Sequence, residues 1–337
     1  MIISPLKISV VVICNNEEKY IKNCLKSIDN LNYKKNLFEV IIVENCSEDN
    51  TNLIIREFIK TKPNMRIINS LKKGISVNRN IGINNSNHDY IAFIDADCTA
   101  EENWLRNLDN AFREELLINE NIAAVGGPNI MPLGSNKFRQ SLAIAVSNYW
   151  GNHGSAQGAN YQQQRMPIDH LPTLNIMYDK KKVLEIGGFD EQQGNVCEDV
   201  DLNTRLIWKG YNLRFDSRAI VRHEWRDSFY AWAKAVATYG KGRSWLMKKN
   251  KKYFKFKLLA PIFLVFSAIS STFFKTNLLF AAPFVTYLTL TTLITIMSSF
   301  SHKKPQYIFH IFLIYLITHL AYGIGQIYGF FAKRGSD

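Results

Sequence analysis

The amino-acid sequence predicts an α/β domain with a mostly parallel central sheet flanked by helices, followed by a C-terminal group of transmembrane helices. Two observations support this prediction. Residues 7–130 alternate short apolar runs with segments whose apolar residues recur at helical spacing, and residues 258–331 contain three long apolar runs. With 337 residues, the chain is long enough for one large domain or two domains of medium size.

The first part of the chain contains four strand-like runs, and each run precedes a helix-like segment. In chain order the runs are "KISVVVI", "FEVIIVE", "MRIIN" and "YIAFI". Strands that alternate with helices in this way predict right-handed β–α–β units and therefore a parallel sheet. No G-x-G-x-x-G or G-x-x-x-x-G-K-[ST] segment follows any of these runs, so dinucleotide oxidoreductases and P-loop NTPases lose their main sequence support.

The fourth run ends at two carboxylates, Asp95 and Asp97. Side chains two positions apart on an extended chain point the same way, and ligands of a parallel sheet bind at the carboxyl ends of its strands. Two neighbouring carboxylates repel each other unless a cation joins them, so this pair predicts a divalent-cation site. The alternative is a strand end at which Asp97 or Thr99 caps the next helix, since Thr99 and Glu102 have the spacing of a capping box.

After residue 130 the pattern changes. Residues 151–169 are rich in Gly, Gln and Asn and have no periodicity, which is typical of a mobile functional loop or of disorder. A helix is predicted for "CEDVDLNTRLIWKG", ending at Gly210. Glu198 and Asp199 open this helix, where the helix dipole alone also favours carboxylates. Further strands are predicted for "LNIMYD", "YNLRFD" and "AIVRHEW".

The net charge of +12 lies entirely in the C-terminal part of the chain. Residues 1–227 contain 27 Lys or Arg and 28 Asp or Glu, whereas residues 228–337 contain 14 basic residues and one acidic residue. The basic residues flank the apolar runs 258–274, 277–300 and 307–331, so they indicate membrane lipid and a cytoplasmic side rather than nucleic acid. The first run is marginal in length, and we therefore expect two or three spans.

The chain is expected to be a multi-pass protein of the cell membrane with its N-terminal domain in the cytoplasm. No secretory signal precedes the first strand, and the five cysteines lack the C-x-x-C spacing of a metal or disulfide framework. The predicted regions are a domain over 1–227, an interfacial amphipathic region over 228–257 that mixes aromatic and basic residues, and a transmembrane region over 258–337.

Seven stretches, in one order between about residue 8 and residue 225, resemble the inverting family 2 glycosyltransferases with a GT-A fold. They are "SVVVICNNEEKYIKNCLKSI", "VIIVENCSEDNT", "GISVNRNIGI", "FIDADC", "NIMYDKKKVLEIGGFDE", "CEDVDLNTRLIWKGY" and "VRHEW". Each stretch alone is a weak signal, but their common order is specific. The C-terminal part more loosely resembles the membrane-anchored members of the family, which build exopolysaccharides or lipid-linked glycans.

The resemblance implies transfer of a sugar from a nucleotide sugar, with a UDP-linked donor favoured, to a hydroxyl of a lipid-linked or growing glycan acceptor. It also implies Mg²⁺ or Mn²⁺ as the cofactor, with Asp97 and His223 as its ligands. The donor would bind within about 1–130 and the acceptor within about 131–227. The donor-binding candidates are Ile13, Cys14, Asn16, Glu17, Glu44, Arg79, Asp95, Ala96 and Asp97.

On the acceptor side, the resemblance implies that Asp199 is the general base, since the attacking hydroxyl must lose a proton. Glu198 would hold Asp199 or the acceptor, and Asn175 and Asp201 would line the acceptor side. Arg243 would contact the diphosphate, although anchoring to anionic lipid accounts for it equally well. The loop over 151–169 is a candidate lid that closes over the donor.

The sequence departs from the family pattern in three places. The usual proline–threonine–aromatic segment is Ile-Cys-Asn at 13–15, and the usual base-binding Asp is Glu44. The Q-x-x-R-W motif of processive polymerases has only a partial counterpart in Arg243 and Trp245. The last departure favours addition of a single sugar over the nearest alternative, a processive polysaccharide synthase. A non-catalytic membrane scaffold is the other alternative, and the retained acidic motifs argue against it.

Overall fold

A computed structural model describes residues 4–118, 120–132, 134–152, 165–273 and 278–334, with the backbone alone for 165–167 and 278–280. The chain divides into two compact units. The sheet unit comprises Met1–Pro132 and Ser155–Glu224, and the helical unit comprises Leu133–Gly154 and Trp225–Asp337.

Within the described residues, the strands are β1 (Ile8–Cys14), β2 (Phe38–Glu44), β3 (Met65–Asn69), β4 (Tyr90–Ile94), β5 (Cys98–Ala100), β6 (Ile122–Gly126), β7 (Asn129–Ile130), β8 (Arg165–Pro167), β9 (Asn175–Asp179), β10 (Asn212–Asp216) and β11 (Val221–His223). The α-helices there are α1 (Ile21–Asp29), α2 (Thr51–Ile59), α3 (Ile75–Asn84), α4 (Trp104–Leu116), α5 (Lys137–Val146), α6 (Tyr149–Asn152), α7 (Lys180–Glu185), α8 (Glu198–Trp208), α9 (Phe229–Lys249), α10 (Ala260–Phe273), α11 (Leu278–Ser301) and α12 (Ile308–Phe331).

The main sheet has the strand order β3-β2-β1-β4-β9-β6-β10-β8. The first four strands in this order are parallel, and β10 is parallel to β6, which confirms the mostly parallel sheet. β9 lies antiparallel between β4 and β6. The local pattern does not predict this insertion, because the neighbours of a strand are determined by segments far away in the sequence. The insertion sets Asn175 of β9 opposite Ile94, where β4 ends.

Both faces of β1 are covered, which explains why its sequence is an almost continuous apolar run. Val10 and Val12 belong to a buried cluster with apolar residues of α1 and α4, whereas Val11 belongs to a second cluster with Ile83 of α3. Complete burial of each such side chain contributes roughly 1.5–3 kcal/mol. Gly82 permits the close approach of α3, because a Cβ atom there would lie 2.4 Å from Cγ1 of Val11.

A second sheet has the order β5-β11-β7, and its strand β5 follows β4 in the chain. β5 pairs with β11 in antiparallel orientation, and Cys98 lies opposite His223. The alternative of a capping box at Thr99 and Glu102 is therefore wrong: Thr99 is part of β5, and α4 begins at Trp104 without a side-chain cap. The pairing partner of Thr99 is distant in the sequence, so a local pattern cannot show it.

The helical unit includes α5 and α6, although the sequence placed residues 131–227 in the acceptor half. The reason is a shared apolar cluster, in which Phe138 and Leu142 of α5 pack with residues of α9 and α12. The helix over 229–249, within the predicted interfacial region, also packs along α12. Its Trp232 donates from Nε1 to Oγ1 of Thr318 at 2.9 Å.

The contact between α9 and α12 is unusually close along a glycine seam, formed by Gly240 of α9 and Gly325 of α12. A Cβ atom at Gly240 would lie 2.1 Å from the carbonyl oxygen of Tyr322, and one at Gly325 would lie 2.0 Å from that of Ala237. At the end of the seam, Lys248 donates to three carbonyl oxygens at the C-terminus of α12, at 2.7–3.2 Å. These bonds satisfy acceptors that a helix end otherwise leaves open.

Among the described residues, three segments are long and apolar enough to cross a membrane: Phe256–Phe273, Ala281–Ser301 and Pro305–Phe331. The segment that the sequence left as marginal therefore also meets the length and composition of a span. Pro283 lies inside α11.

Candidate active site

The carboxyl ends of β1, β2 and β4 meet at one edge of the main sheet. Cys14 at the end of β1 is in register with Glu44 at the end of β2, and Val11 of β1 is in register with Phe93 of β4. The parallel arrangement brings together three loops that carry most of the predicted donor-binding residues. Ligands of parallel sheets bind at this kind of edge.

The connection from β4 to β5 carries the D-x-D motif. Ala96, which separates the two aspartates of this motif, is buried. The Oδ2 atom of Asp97 lies 3.3 Å from Nε2 of His223. The strand register explains this contact, since Cys98 lies opposite His223 and the backbone nitrogen of Glu224 donates to the carbonyl of Asp97. The structure thus places the two predicted metal ligands side by side.

A third group, the thiol of Cys98, joins these two. Ligand atoms of Asp97, Cys98 and His223 all lie within 4.8 Å of one another. Burial, reinforced by the charges of Asp97 and Asp95, raises the pKa of the Cys98 thiol well above its ordinary value, so the protonated thiol is a weak ligand. A carboxylate with an imidazole fits a divalent cation, and the nitrogen ligand favours Mn²⁺ over Mg²⁺.

Arg79 connects the two acidic motifs. It lies on α3 with 3% of its surface exposed, donates from Nη1 to Glu198 at the start of α8, and donates from Nη2 to Asp95 at 3.3 Å. Its guanidinium also lies 6.0 Å and 5.5 Å from the ring centroids of Phe93 and Phe189. The structure shows a buried guanidinium that holds two carboxylates, and the predicted contact between Arg79 and the nucleotide stays a prediction.

The charged groups in this cluster shift one another's pKa values. Burial raises the pKa of Glu198 to about 7, an effect that Arg79 opposes and Asp199 reinforces. Burial also raises the pKa of Asp95, again with Arg79 opposing. For Arg79, burial lowers the pKa but the carboxylates of Glu198 and Asp95 raise it further, so the guanidinium stays charged.

Asp199 has a different environment from its neighbour Glu198. Cys197, with a left-handed φ of 57°, precedes the helix, and successive helix residues do not face each other. The Oδ1 atom of Asp199 accepts from the backbone nitrogen of Val200 at 2.7 Å, and Oδ2 lies 3.7 Å from Nε2 of His170. Because 20% of the Asp199 side chain is exposed, its carboxylate is accessible to a substrate. His170 belongs to no recognisable motif, so sequence reasoning missed it.

The end of β1 and the β1–α1 loop together contain four of the predicted donor-binding residues. Ile13 and Cys14 end β1, and burial raises the pKa of the Cys14 thiol. Asn16 has a φ of 58° and accepts from the backbone nitrogen of Glu48 at 2.8 Å, while the backbone nitrogen of Glu17 donates to Thr51 at 2.7 Å. These bonds tie the loop to the segment after β2.

Glu44 ends β2 with only 4% of its surface exposed. Its carboxylate accepts from the backbone nitrogen of Ser47 at 2.6 Å and from Nδ2 of Asn52 at 3.0 Å. The longer glutamate arm therefore folds back onto its own loop.

Asn175 and Asp201, predicted for the acceptor side, lie inside the sheet unit. Asn175 accepts from Nε1 of Trp104 at 2.8 Å and donates to the carbonyls of Pro128 and Ala219. Asp201 is fully buried and accepts from Arg205 at 2.7 Å. Both side chains have partners inside the sheet unit, and their predicted place on the acceptor side stays a prediction.

Two predictions concern residues elsewhere. Arg243 lies on α9 in the helical unit, and its contact with a diphosphate stays a prediction. The candidate lid over 151–169 falls mostly on residues 153–164, which lie outside the described residues.

Comparisons with known proteins show the family of the chain. The family profile described as Glycosyl transferase family 2 matches residues 9–169, and that described as Glycosyl transferase family group 2 matches residues 90–328. The chain is similar to glycosyltransferase AglE of Haloferax volcanii, with 35% identity over 70% of this chain and 72% of the relative.

A second relative, from Methanococcus voltae, is dolichyl N-acetyl-alpha-D-glucosaminyl phosphate 3-beta-D-2,3-diacetamido-2,3-dideoxy-beta-D-glucuronosyltransferase, with 25% identity over 78% of this chain and 80% of the relative. Against other curated relatives the chain spans 61% or 34% of their length. Among solved structures, the mannosyltransferase PcManGT from Pyrobaculum calidifontis, in complex with GDP-Man and Mn²⁺, has a TM-score of 0.58 at 16% identity, covering 93% of this chain and 87% of that one.

Proposed function

Because the chain belongs to glycosyltransferase family 2, with the GT-A fold and enzymatic activity of that family, we propose that it is a metal-dependent inverting transferase of a single sugar. The donor is a nucleotide sugar, with UDP as the first nucleotide to test, and the acceptor is a hydroxyl of a lipid-linked or growing glycan. The observation that carries this proposal is the juxtaposition of Asp97 with His223 at the sheet edge where the ends of β1, β2 and β4 meet.

On the donor side, the loops after β1 and β2 would receive the nucleoside, and Asp97 and His223 would hold a divalent cation. When bound, the cation would neutralise the charge that develops on the departing diphosphate. The imidazole of His223 makes Mn²⁺ a better fit than Mg²⁺. Arg79 orients Asp95 through its 3.3 Å contact, and its charge opposes the rise that burial causes in the pKa of Asp95.

On the acceptor side, Asp199 would accept the proton of the attacking hydroxyl. Its neighbour Glu198 is unsuited to this task, because it is buried and already bonded to Arg79. Displacement assisted by one base requires no protein nucleophile, and a single displacement inverts the configuration at the anomeric carbon.

The test is the binding of UDP, GDP, dTDP and CDP to the detergent-solubilised chain, with Mn²⁺, with Mg²⁺ and without metal. We expect one nucleotide to bind in a metal-dependent manner, and Asp97→Ala to abolish that dependence. Asp89→Ala, just before the opposite end of β4, is the matched control and should bind like the wild type. Binding that is indifferent to both the metal and Asp97 would contradict the proposal.

The proposed location is the cell membrane, with the sheet unit in the cytoplasm. Three candidate spans support a membrane protein, and the basic clusters at 248–257 and 302–304 support a cytoplasmic side for those segments.

A further inference from the structure

Two polar side chains that the proposed mechanism does not use, His170 and Asn203, form a row of contacts that begins at Asp199. His170 precedes β9, and Asn203 lies on α8 one turn after Asp199, so both carboxylate and amide are on the same face of the helix. Nε2 of His170 lies 3.7 Å from Oδ2 of Asp199, and Nδ1 of the same ring lies 3.3 Å from Nδ2 of Asn203.

The contacts of Asn203 determine which way its amide points. Nδ2 donates to the carbonyl oxygen of Leu171 at 2.7 Å, and Oδ1 accepts from the hydroxyl of Tyr178 at 2.7 Å. Asn203 and Tyr178 are both fully buried. A rotated amide would set its oxygen against the Leu171 carbonyl, leaving two acceptors in contact inside the unit, which is costly. The atom that faces His170 is therefore the amide nitrogen.

This orientation determines the tautomer of His170. The amide nitrogen has two hydrogens; the Leu171 carbonyl takes one, and the other points to Nδ1 of His170. Nδ1 must then be an acceptor, which leaves the proton of the neutral ring on Nε2. That proton faces the carboxylate of Asp199, an acceptor-only group when ionised.

We propose that His170 is a positioning residue, which donates from Nε2 to Asp199 and holds the general base in place. The inference rests on the proposed function, in which Asp199 takes the proton. Val200 holds Oδ1 and His170 holds Oδ2, so each oxygen keeps a lone pair for the acceptor hydroxyl. At 3.7 Å the two atoms are in contact but beyond hydrogen-bond distance, and we expect the separation to shorten by about 1 Å when substrate binds.

The proton balance is simple, because His170 keeps its Nε2 proton throughout. The acceptor oxygen forms its bond to the anomeric carbon while the bond from that carbon to the diphosphate breaks, and the diphosphate leaves with the electron pair. The hydroxyl proton passes to the free lone pair of Asp199. His170 thus acts only through the orientation of the carboxylate.

The first experiment compares His170→Phe with His170→Gln in the full chain, using release of nucleoside diphosphate from the donor selected by the binding assay. Phe removes the donor group, whereas the Gln amide nitrogen can replace Nε2–H. We expect Phe to lower kcat by about tenfold with unchanged donor affinity, and Gln to restore kcat to within about threefold of the wild type. Equal losses in Gln and Phe would overturn the inference.

The second experiment is a double-mutant cycle with Asp199→Asn. If His170 acts through the carboxylate, His170→Phe should cost nothing further in the Asp199→Asn background. The same fractional loss in both backgrounds would show a separate structural role and would overturn the inference. A wild type that releases no nucleoside diphosphate from any donor would overturn the proposed function as well, whereas a His170→Phe variant with wild-type turnover would overturn this inference alone.

Discussion

The guanidinium of Arg79 joins two carboxylates, Asp95 and Glu198, that belong to different motifs and lie far apart in the sequence. A buried charge that loses its partner is strongly unfavourable, because neither water nor another ion compensates it. Arg79 is therefore a structural requirement of the site as well as an electrostatic one, and its replacement should change both stability and turnover.

We expect Arg79→Lys to lower the free energy of unfolding by about 1–3 kcal/mol, since a single ammonium group keeps the charge but cannot bond two carboxylates in the guanidinium geometry. Denaturant unfolding of the detergent-solubilised protein measures the loss. Arg66→Lys is the matched control: Arg66 pairs with Glu39 near the surface, so its replacement should cost less than about 1 kcal/mol. Equal midpoints for the two variants would refute the requirement.

The raised pKa of Glu198 predicts a pH dependence of stability. With a folded pKa of about 7 and an ordinary value of 4.5, the folded state binds more protons between these values, so stability falls as pH rises through this window. Glu198→Gln removes the titration. Measured in EDTA, the wild type should therefore lose roughly 1–3 kcal/mol relative to this variant between pH 4.5 and pH 8. A difference that does not vary with pH would contradict the prediction.

At the scale of elements, the local pattern predicts β1 to β4 and the helices between them, because apolar periodicity is a property of neighbouring residues. It predicts neither the antiparallel insertion of β9 nor the pairing of β5 with β11, since their partners are distant in the sequence. Asp97, Asp199 and His223 are candidates from the sequence, whereas Cys98 and His170 become candidates only through pairing and packing.

The approach of α3 to β1 gives a prediction at the same scale. Gly82→Ala should destabilise the protein by about 1–3 kcal/mol, because the added methyl group overlaps Val11 and displaces the helix that carries Arg79. Turnover should fall with it. Adding Val11→Ala removes the overlapping atoms, so the double variant should lose less than the two separate losses combined. A stabilising Gly82→Ala, as helix propensity alone predicts, would show that the approach has no cost.

At the scale of the whole molecule, the charge is divided between two parts of the chain: residues 1–227 are nearly neutral, and the excess of +12 lies in the rest. Three spans that start from a cytoplasmic sheet unit would put residues 302–304 in the cytoplasm and the C-terminus outside. This topology agrees with the positive-inside tendency at residues 302–304 and opposes it at Lys333 and Arg334.

Topology is testable with a C-terminal tag and with Lys303→Cys in a cysteine-free background. We expect a membrane-impermeant maleimide to label Cys at position 303 only after the cells are opened, and the tag to be accessible on intact cells. A tag that is protected on intact cells would show an even number of spans, with the first apolar segment lying in the interface instead of crossing it.

The glycine seam has a mechanical consequence. Because their backbones are in close contact and Lys248 bonds to the last carbonyls of α12, we expect α9 and α12 to move as one body. If α12 spans a bilayer, a bilayer whose thickness differs from its apolar length would make that helix tilt. α9, with Arg243 on it, would turn with α12, so the lipid composition of the membrane would affect the orientation of a helix that precedes every candidate span.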